Sequence, residues 1–233
     1  MNEIPLEENF DWWWYKAKAN LLKSVIRSLN KNKQDLKILE IGPGLGNNLK
    51  ILNNFGNVDI LETEKKFIDY INSNYFDYIL NIYTSIDQLH QKYDLIIMAD
   101  VLEHIEEPKK FLDKLIVYLQ FDGAIIVGVP AYNFLWSNHD VILKHFRRYN
   151  WNMLQKHASS YNIVRKIGFN FLLLPVRVLQ ILIMNPSSTN NSSKVLNSIF
   201  FQISKIEHLI RRYIYNPKYG LSIYAVLKSK SFS

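Results

Sequence analysis

The 233-residue sequence excludes several classes of protein by composition alone. Because it contains no cysteine, it has neither a disulfide framework nor a thiolate nucleophile, and with 48% hydrophobic residues it is not intrinsically disordered. Its 28 basic and 21 acidic side chains give a net charge of +7, which favours anionic partners such as phosphorylated substrates, nucleic acid or acidic lipid.

The length and the two ends of the chain predict one α/β domain in the cytoplasm. Single doubly wound domains reach about 200–250 residues, which fits this chain. Residues 1–10 carry neither the basic nor the apolar region of a secretory signal. Near the C-terminus the longest apolar stretches are broken by Pro175 and Arg177, so we expect no run of the ~20 apolar residues that a membrane span requires.

An aromatic run, Trp12-Trp13-Trp14-Tyr15, leads into the first predicted helix. Apolar residues then recur every three or four positions, at Trp14, Ala17, Leu21, Val25 and Leu29. We expect this stripe to face the core. Trp12, Trp13 and Tyr15 cannot all join it. They either pack the helix on the sheet or cap a ligand pocket.

Residues 36–46 form the central motif, an apolar run that ends in Gly42-Pro43-Gly44-Leu45-Gly46. The pattern predicts a strand, a tight turn and the start of a helix. Glycine is needed where the backbone takes a positive φ or lies against a ligand, and the first N–H groups of the helix then point at that ligand. The next strand, residues 57–62, ends in Glu62, whose carboxylate can accept both hydroxyls of a ribose. A nucleotide-like cofactor is therefore predicted here.

The spacing E-x-G-x-G-x-G from Glu40 to Gly46 resembles motif I of the class I S-adenosylmethionine-dependent methyltransferases. Nicotinamide enzymes usually show G-x-G-x-x-G, whereas here the third glycine comes one place early and Asn47 takes the expected position. A nicotinamide dehydrogenase and a turn without a ligand are the alternatives. The resemblance implies S-adenosyl-L-methionine as the cofactor, held by Glu40, Gly42, Pro43, Gly44, Gly46 and Glu62.

Strands and helices alternate through the rest of the core. Strands are predicted at residues 78–82, 93–100 and 124–130, the last after an Asp122-Gly123 turn, and a helix begins at Pro108. The run at 93–100 is apolar on both alternating faces, as in a central parallel strand. This alternation predicts an α/β fold with a Rossmann-like, doubly wound parallel sheet, whose ligands bind at the carboxyl ends of the strands.

The C-terminal third adds a strand at residues 161–169, an apolar helix at 171–184, a polar linker at 185–193, a helix at 196–210 and a last strand at 221–227. This order resembles the C-terminal antiparallel hairpin that closes the methyltransferase sheet, with a helical insertion between its two strands. We therefore divide a single domain, 1–233, into an N-terminal cap helix (1–34), a cofactor-binding core (35–170), a helical insertion (171–215) and a last strand (218–230).

The resemblance implies two further cofactor contacts. Many class I methyltransferases contact the adenine amino group from the loop that corresponds to residues 83–89. In that loop Thr84, Ser85 and Asp87 are the polar candidates, and backbone groups around Ser85 and Ile86 are the expected contacts. At the end of the fourth strand, Ala99 and Asp100 are expected to hold the methionine end.

The stretch Asp100-Val101-Leu102-Glu103-His104 has the spacing D-x-x-E-H. It is similar to the E-x-x-E-H pattern of methyltransferases of quinone biosynthesis and of small-RNA 3′-end modification, which can hold a divalent metal. Three candidate ligands fall short of an octahedral shell, so we assign no metal. His104 titrates near neutral pH and is a candidate for taking the acceptor's proton, with a purely structural hydrogen bond as the alternative.

A cluster of polar and charged residues, 136–149, follows the fifth strand. With the N-terminal tryptophans, its D…H-x-R-R-Y pattern resembles bacterial methyltransferases of cell-surface polysaccharide or lipid-linked sugar synthesis. The resemblance implies a second candidate base, His145 or else His139, and acceptor contacts from Trp13, Tyr132, His139, Arg147 and Arg148. The two arginines can hold a phosphate or carboxylate in bidentate fashion, or Arg147 can instead anchor the loop.

The leading hypothesis is methylation of an oxygen or nitrogen atom of a small molecule, sugar or lipid-linked glycan. RNA or protein methylation is an alternative, although no separate nucleic-acid-binding module is visible and we expect no nucleic-acid partner. A non-catalytic cofactor-binding scaffold is another. Peripheral membrane contact through residues 171–184 would suit a lipid-linked acceptor, and the oligomeric state is left open.

Overall fold

The structure, a computed structural model, describes residues 13–29, 35–183 and 194–230. The predictions for Trp12, for residues 1–10 and for the 185–193 linker lie outside these ranges. Within them the strands are β1 (Leu36–Ile41), β2 (Gly56–Leu61), β3 (Asn81–Tyr83), β4 (Tyr93–Ala99), β5 (Leu119–Pro130), β6 (Tyr161–Phe169) and β7 (Ser222–Ser229).

The strands form one seven-stranded sheet in the order β3-β2-β1-β4-β5-β7-β6. The pairs from β3 to β5 are parallel, whereas β7 runs antiparallel to both β5 and β6. The predicted Rossmann-like sheet with a C-terminal antiparallel hairpin is therefore confirmed. At the β5–β7 junction Gly128 lies opposite Tyr224, and a Cβ on Gly128 would be 2.3 Å from the tyrosine ring, so this glycine makes room for a buried aromatic side chain.

Helices cover both faces of the sheet. They are α1 (Trp13–Leu29), α2 (Leu49–Leu52), α3 (Lys65–Tyr75), α4 (Pro108–Leu115), α5 (Asn138–Ile142), α6 (Trp151–His157), α7 (Leu174–Ile183) and α8 (Lys194–Tyr213). Both α7 and α8 fall between β6 and β7, where the helical insertion was predicted. Among the described residues, none of the helices combines the length and the apolar character that crossing a membrane requires.

Alternate residues of the central strands pack in two separate hydrophobic cores, one on each face of the sheet. In β4, Leu95 and Ile97 pack under α1 and α2, whereas Ile96 and Met98 pack on the opposite face with residues of α4 and α6. The six residues of β4 from Tyr93 to Met98 are buried, as the uninterrupted apolar run predicts for a central strand. Burial on both faces holds the carboxyl ends of the strands in fixed relative positions.

Two predicted strand boundaries are wrong. The third strand begins at Asn81 rather than at residue 78, because residues 76–78 form a 3₁₀ turn. The predicted Asp122-Gly123 turn lies inside β5, which runs without a break from Leu119. A Cβ on Gly123 would lie 2.9 Å from the carbonyl oxygen of Tyr93, so the glycine permits a close approach of two backbones where the strand register shifts.

The helices also differ from their predictions in detail. In α1 the predicted stripe residues Ala17, Leu21 and Val25 are buried, but in the first turn Trp13 is buried and Trp14 only partly so. The helix after the glycine turn, α2, has only four residues. In the insertion, α7 begins at Leu174 rather than at residue 171, and α8 extends to Tyr213.

Candidate functional site

The loops at the carboxyl ends of β1, β2, β4 and β5 open onto a cavity of about 900 Å³. The first two turns of α1, one residue of α7 and the start of β7 complete its wall. We call the part beside Gly42, Gly44 and Glu62 the glycine end, and the part beside His139 and His145 the histidine end. The convergence that was predicted from strand ends scattered along the sequence is therefore present in the fold.

Two glycines of the β1 loop have different surroundings. Gly42 has a φ of +62°, and a Cβ there would lie 2.7 Å from a methyl group of Val101. Gly44 has a φ of +55°, but no atom lies within 4 Å of the position that its Cβ would occupy. The space over Gly44 is open to the cavity, which leaves its backbone accessible to a ligand.

Glu62 is held at the glycine end by backbone donors. Its Oε1 accepts hydrogen bonds from the N–H groups of Thr63 at 2.8 Å and Glu64 at 3.0 Å, and its Oε2 accepts one from Gly44 at 3.1 Å. A carboxylate has about four acceptor positions, so three donors leave room for a ligand hydroxyl. The carboxylate is therefore oriented before any ligand binds.

Glu40 lies behind the glycine loop rather than on the cavity wall. Its Oε1 accepts a hydrogen bond from Asn48 Nδ2 at 2.7 Å, and its buried Oε2 has no hydrogen-bond partner. Burial raises the pKa of Glu40 from 4.5 to about 7, against the opposing effects of Asn48 and Lys18. A buried carboxyl with one unpaired oxygen thus lies directly beneath the loop.

Asp100 ends β4 in a left-handed conformation, with a φ of +61°. Its N–H donates to the carbonyl of Gly128 at 2.9 Å, and its Oδ2 pairs with Lys18 Nζ of α1 at 2.5 Å. Both Ala99 and Asp100 line the cavity. The ion pair fixes α1, and with it the aromatic residues of its first turn, over the ends of the strands.

The histidine end is built around the fully buried carboxylate of Asp140. Its Oδ1 accepts from His145 Nδ1 at 2.9 Å and from Arg148 Nε at 2.8 Å, while its Oδ2 accepts from the N–H of Ser137 at 2.9 Å and its hydroxyl at 3.2 Å. Burial alone would raise the pKa of Asp140, but the hydrogen bonds from His145 and Arg148 hold it well below its ordinary value. In the neutral tautomer whose Nδ1 donates to Asp140, the other ring nitrogen of His145 is a proton acceptor.

A second histidine and a buried carboxyl group lie beside His145. The ring of His104 contacts that of His145 edge to face, with centroids 4.6 Å apart. Burial, and next the neighbouring His145, lower the pKa of His104. Glu103 is fully buried, and neither of its carboxylate oxygens has a hydrogen-bond partner. Burial, and next Asp100, raise the pKa of Glu103 well above its ordinary value.

The possible metal ligands are not the predicted set. Among the described residues, Glu103, His104 and His145 offer ligand atoms within 4.8 Å of one another, whereas Asp100 is paired with Lys18. Because a metal ligand has to be deprotonated, the raised pKa of Glu103 opposes this use of its carboxyl group. The geometry permits a site with three ligands. The assignment of no metal stays a prediction.

Most of the predicted site residues share this cavity. Those on its wall are Trp13, Gly42, Pro43, Gly44, Glu62, Ala99, Asp100, His104, His139, His145 and Arg148. Those that do not line it are Glu40, Gly46, Ser85, Ile86, Tyr132 and Arg147. Arg147 donates from Nη2 to the carbonyl of Glu106 at 3.0 Å and faces a separate depression beside Phe146, so it anchors the loop and does not share the cavity with Arg148.

Some wall residues were not predicted. Lys18 and Arg177 line the cavity from α1 and α7, and Leu221 and Ser222 line it from the start of β7. The prediction considered residues that follow parallel strands, and these four lie on helices or at the start of an antiparallel strand. A lysine on the buried side of an amphipathic helix was the available signal for Lys18.

Comparison with known proteins agrees with this geometry. A family model described as a methyltransferase domain matches residues 13–172. The fold is similar to that of a SAM-dependent methyltransferase from Archaeoglobus fulgidus, at 14% identity over 91% of this chain and 94% of that one, with a TM-score of 0.55. None of the curated proteins compared with the chain matches it.

Two similar structures were solved with S-adenosylhomocysteine. The N-methyltransferase NodS from Bradyrhizobium japonicum WM9 is 12% identical over 93% of this chain and 88% of its own, with a TM-score of 0.56. The plantazolicin methyltransferase BpumL is 15% identical over 93% of this chain and 84% of its own, with a TM-score of 0.58. At these identities the likeness is one of fold.

Proposed function

The chain belongs to the methyltransferase-domain family and is a class I enzyme whose cofactor is S-adenosylmethionine, and we propose that it methylates an oxygen or nitrogen atom of a small molecule or glycan. The observation that carries the proposal is the position of His145. Its ring is oriented by the buried Asp140 and lies on the wall of the same cavity as the glycine loop.

The glycine end fits the cofactor. Gly44 presents open backbone, and the fixed carboxylate of Glu62 has an acceptor position free for a ribose hydroxyl. Glu62 and Glu64 also give this end an acidic wall, which suits a ligand that carries a sulfonium cation, whereas Asp100 is paired with Lys18. Contacts from Ser85 and Ile86 to the adenine stay a prediction, because neither residue lines the cavity.

The chain's own residues supply alignment and a proton acceptor. When bound, the cofactor supplies an electrophilic methyl group. His145 is placed to accept the proton of the acceptor, and the carboxylate of Asp140 stabilises the imidazolium that results. His104 is the second candidate for this role. Trp13, Trp14 and Tyr15 form an aromatic wall that excludes water from the reacting groups.

The size of the cavity is that of a small-molecule site. Small-molecule sites span about 300–1,000 Å³, and this cavity of about 900 Å³ lies within that range. The raised pKa of the neighbouring Glu103 also keeps further negative charge away from the histidine end. A sugar or a lipid-linked glycan remains the proposed acceptor class.

Methyl transfer from labelled S-adenosylmethionine tests this function with panels of sugar, sugar phosphate, lipid-linked and RNA acceptors. The variant His145→Gln should lower the transfer rate by about 10²–10⁴-fold, the usual contribution of a general base, without changing the affinity for S-adenosylhomocysteine. His90→Gln, at an exposed histidine outside the cavity, is the matched control. A wild-type rate in His145→Gln would show that this residue is not the base, and transfer to RNA alone would favour the macromolecular alternative.

A further inference from the structure

We propose that Arg177 and Arg148 form a phosphoryl-binding subsite at the histidine end, so that the acceptor carries a phosphate group. The inference rests on the proposed function, because it names the chemical class of that enzyme's acceptor. Arg177 lies on α7, in the helical insertion, and lines the cavity beside Arg148 and His139. It replaces Arg147 in the predicted arginine pair.

Asp140 has no acceptor position left for a second arginine, although its charge still attracts Arg177. Its four hydrogen bonds come from His145, Arg148 and both donors of Ser137, which fills the acceptor positions of a carboxylate. Arg148 uses Nε for Asp140 and Nη1 for the carbonyl of Ala131 at 3.2 Å, so one of its terminal nitrogens stays available to a ligand.

Arg177 is a partly buried cation without a carboxylate partner in the described ranges. Its contact with a side chain there is a long one, from Nη1 to Gln180 Oε1 at 3.5 Å. Burial, and next the repulsion of Arg148, lower the pKa of Arg177. Two arginines against one aspartate leave a net charge of +1 at this end of the cavity, opposite the acidic glycine end.

The position of Arg177 in the chain indicates a role in acceptor choice. The methyltransferase-domain match ends at residue 172, and α7 begins at Leu174. The guanidinium is thus brought to the shared cavity by an element outside the matched core. One fold carries many activities, which differ through the residues at the site. A residue that an added element brings to the site can therefore determine which acceptor binds.

A phosphoryl group fits two arginines from different elements better than a carboxylate does. It presents three strong acceptor oxygens on a tetrahedron, which can meet donors from α7 and from the loop of Arg148 at once. The two oxygens of a carboxylate lie in one plane and match the fork of a single guanidinium. A soluble ester and a lipid can each carry this phosphate, since both present the same group.

The test is titration of the full chain, saturated with S-adenosylhomocysteine, with inorganic pyrophosphate at low salt. Wild type should bind it, and Arg177→Gln should weaken binding by at least about tenfold, the usual effect of losing a charge-assisted hydrogen bond. Arg212→Gln removes the same charge at an exposed position of α8 and should leave pyrophosphate affinity unchanged. All three proteins should bind S-adenosylhomocysteine equally.

Hexose 1-phosphate and vesicles containing phosphatidate extend the titration to the two sources of phosphate. Binding of either by wild type and its loss in Arg177→Gln supports the subsite and identifies the source. Equal pyrophosphate affinity in wild type and Arg177→Gln would overturn the phosphoryl-binding subsite but not the proposed function. Tighter binding of malonate than of pyrophosphate would have the same consequence. Failure of wild type to bind S-adenosylhomocysteine would instead count against the proposed function.

Discussion

Glu40 is a residue whose ionisation the fold opposes. Its side chain is buried, Asn48 satisfies one oxygen and the other has no partner, so the charged form is poorly solvated. The folded pKa of about 7 lies above the ordinary value of 4.5. Stability from the protonated form is therefore full below pH 4.5 and is lost as the pH rises through about 7.

The variant Glu40→Gln should remove this pH dependence from the ligand-free protein. A pKa unit corresponds to about 1.4 kcal/mol, so the free energy of unfolding of wild type should fall relative to the variant by on the order of 3 kcal/mol between pH 4.5 and pH 8. Urea denaturation at both pH values measures the difference. Glu106→Gln, at an exposed carboxylate, is the control, and a pH dependence identical in wild type and Glu40→Gln would contradict the assignment.

At the scale of single residues, sequence reasoning located side chains that follow strands. Glu62 and Asp100 were predicted because they follow strands whose carboxyl ends meet at one edge of the sheet, whereas Arg148 was implied by the family resemblance. Sequence reasoning could not tell which of Arg147 and Arg148 enters the cavity. The answer depends on their distant partners, Glu106 and Asp140.

At the scale of elements, a substitution in the glycine loop can change ligand affinity more than it changes folding stability. Gly44→Ala introduces a Cβ into open space, so its cost to folding is the left-handed backbone alone, about 1 kcal/mol. That same space is where we place the cofactor, so affinity for S-adenosylhomocysteine should fall by more than tenfold. Calorimetric titration and thermal unfolding measure the two effects.

Gly46→Ala provides the contrast to this prediction. A Cβ at Gly46 would lie 2.8 Å from Leu49 and 3.1 Å from Tyr75, so this variant should lose more folding stability than Gly44→Ala. Wild-type affinity for S-adenosylhomocysteine in Gly44→Ala would show that the cofactor does not occupy the space over the loop.

Element boundaries were predicted best where an apolar run was long and local. The bounds of β4 differ from the prediction by one residue, because burial on both faces needs continuous apolar sequence. The bounds of β6, a partly buried edge strand, agree with the prediction. The short edge strand β3 has little local pattern, and the start of β5 was hidden by an Asp-Gly pair that usually marks a turn. Only pairing with neighbouring strands defines such boundaries.

At the scale of the whole molecule, the helical insertion exposes apolar surface. Val176 and Leu179 of α7 and Ile199, Ile206 and Leu209 of α8 are exposed, and Lys205 and Arg212 lie on the same insertion. Apolar and basic side chains on one element are typical of contact with anionic lipid. Peripheral membrane association, predicted for residues 171–184, stays a prediction that this surface supports.

Sedimentation with vesicles that contain anionic lipid tests the association. Wild type should pellet with the vesicles, and Leu179→Asp should reduce the bound fraction several-fold by placing a charge where we expect acyl chains. Val117→Asp makes the same change at an exposed site outside the insertion and should have no effect. If wild type stays in the supernatant, the membrane prediction is wrong.

The interior position of β7 constrains how the protein can be made. This strand comes after the other six in the chain, yet it lies between β5 and β6 and bonds to both. During translation β5 and β6 leave the ribosome first and cannot complete the sheet with each other. The cavity wall also includes Leu221 and Ser222 at the start of β7. A nascent chain therefore has no finished pocket until this late segment emerges, and a prematurely terminated product lacks part of its active site.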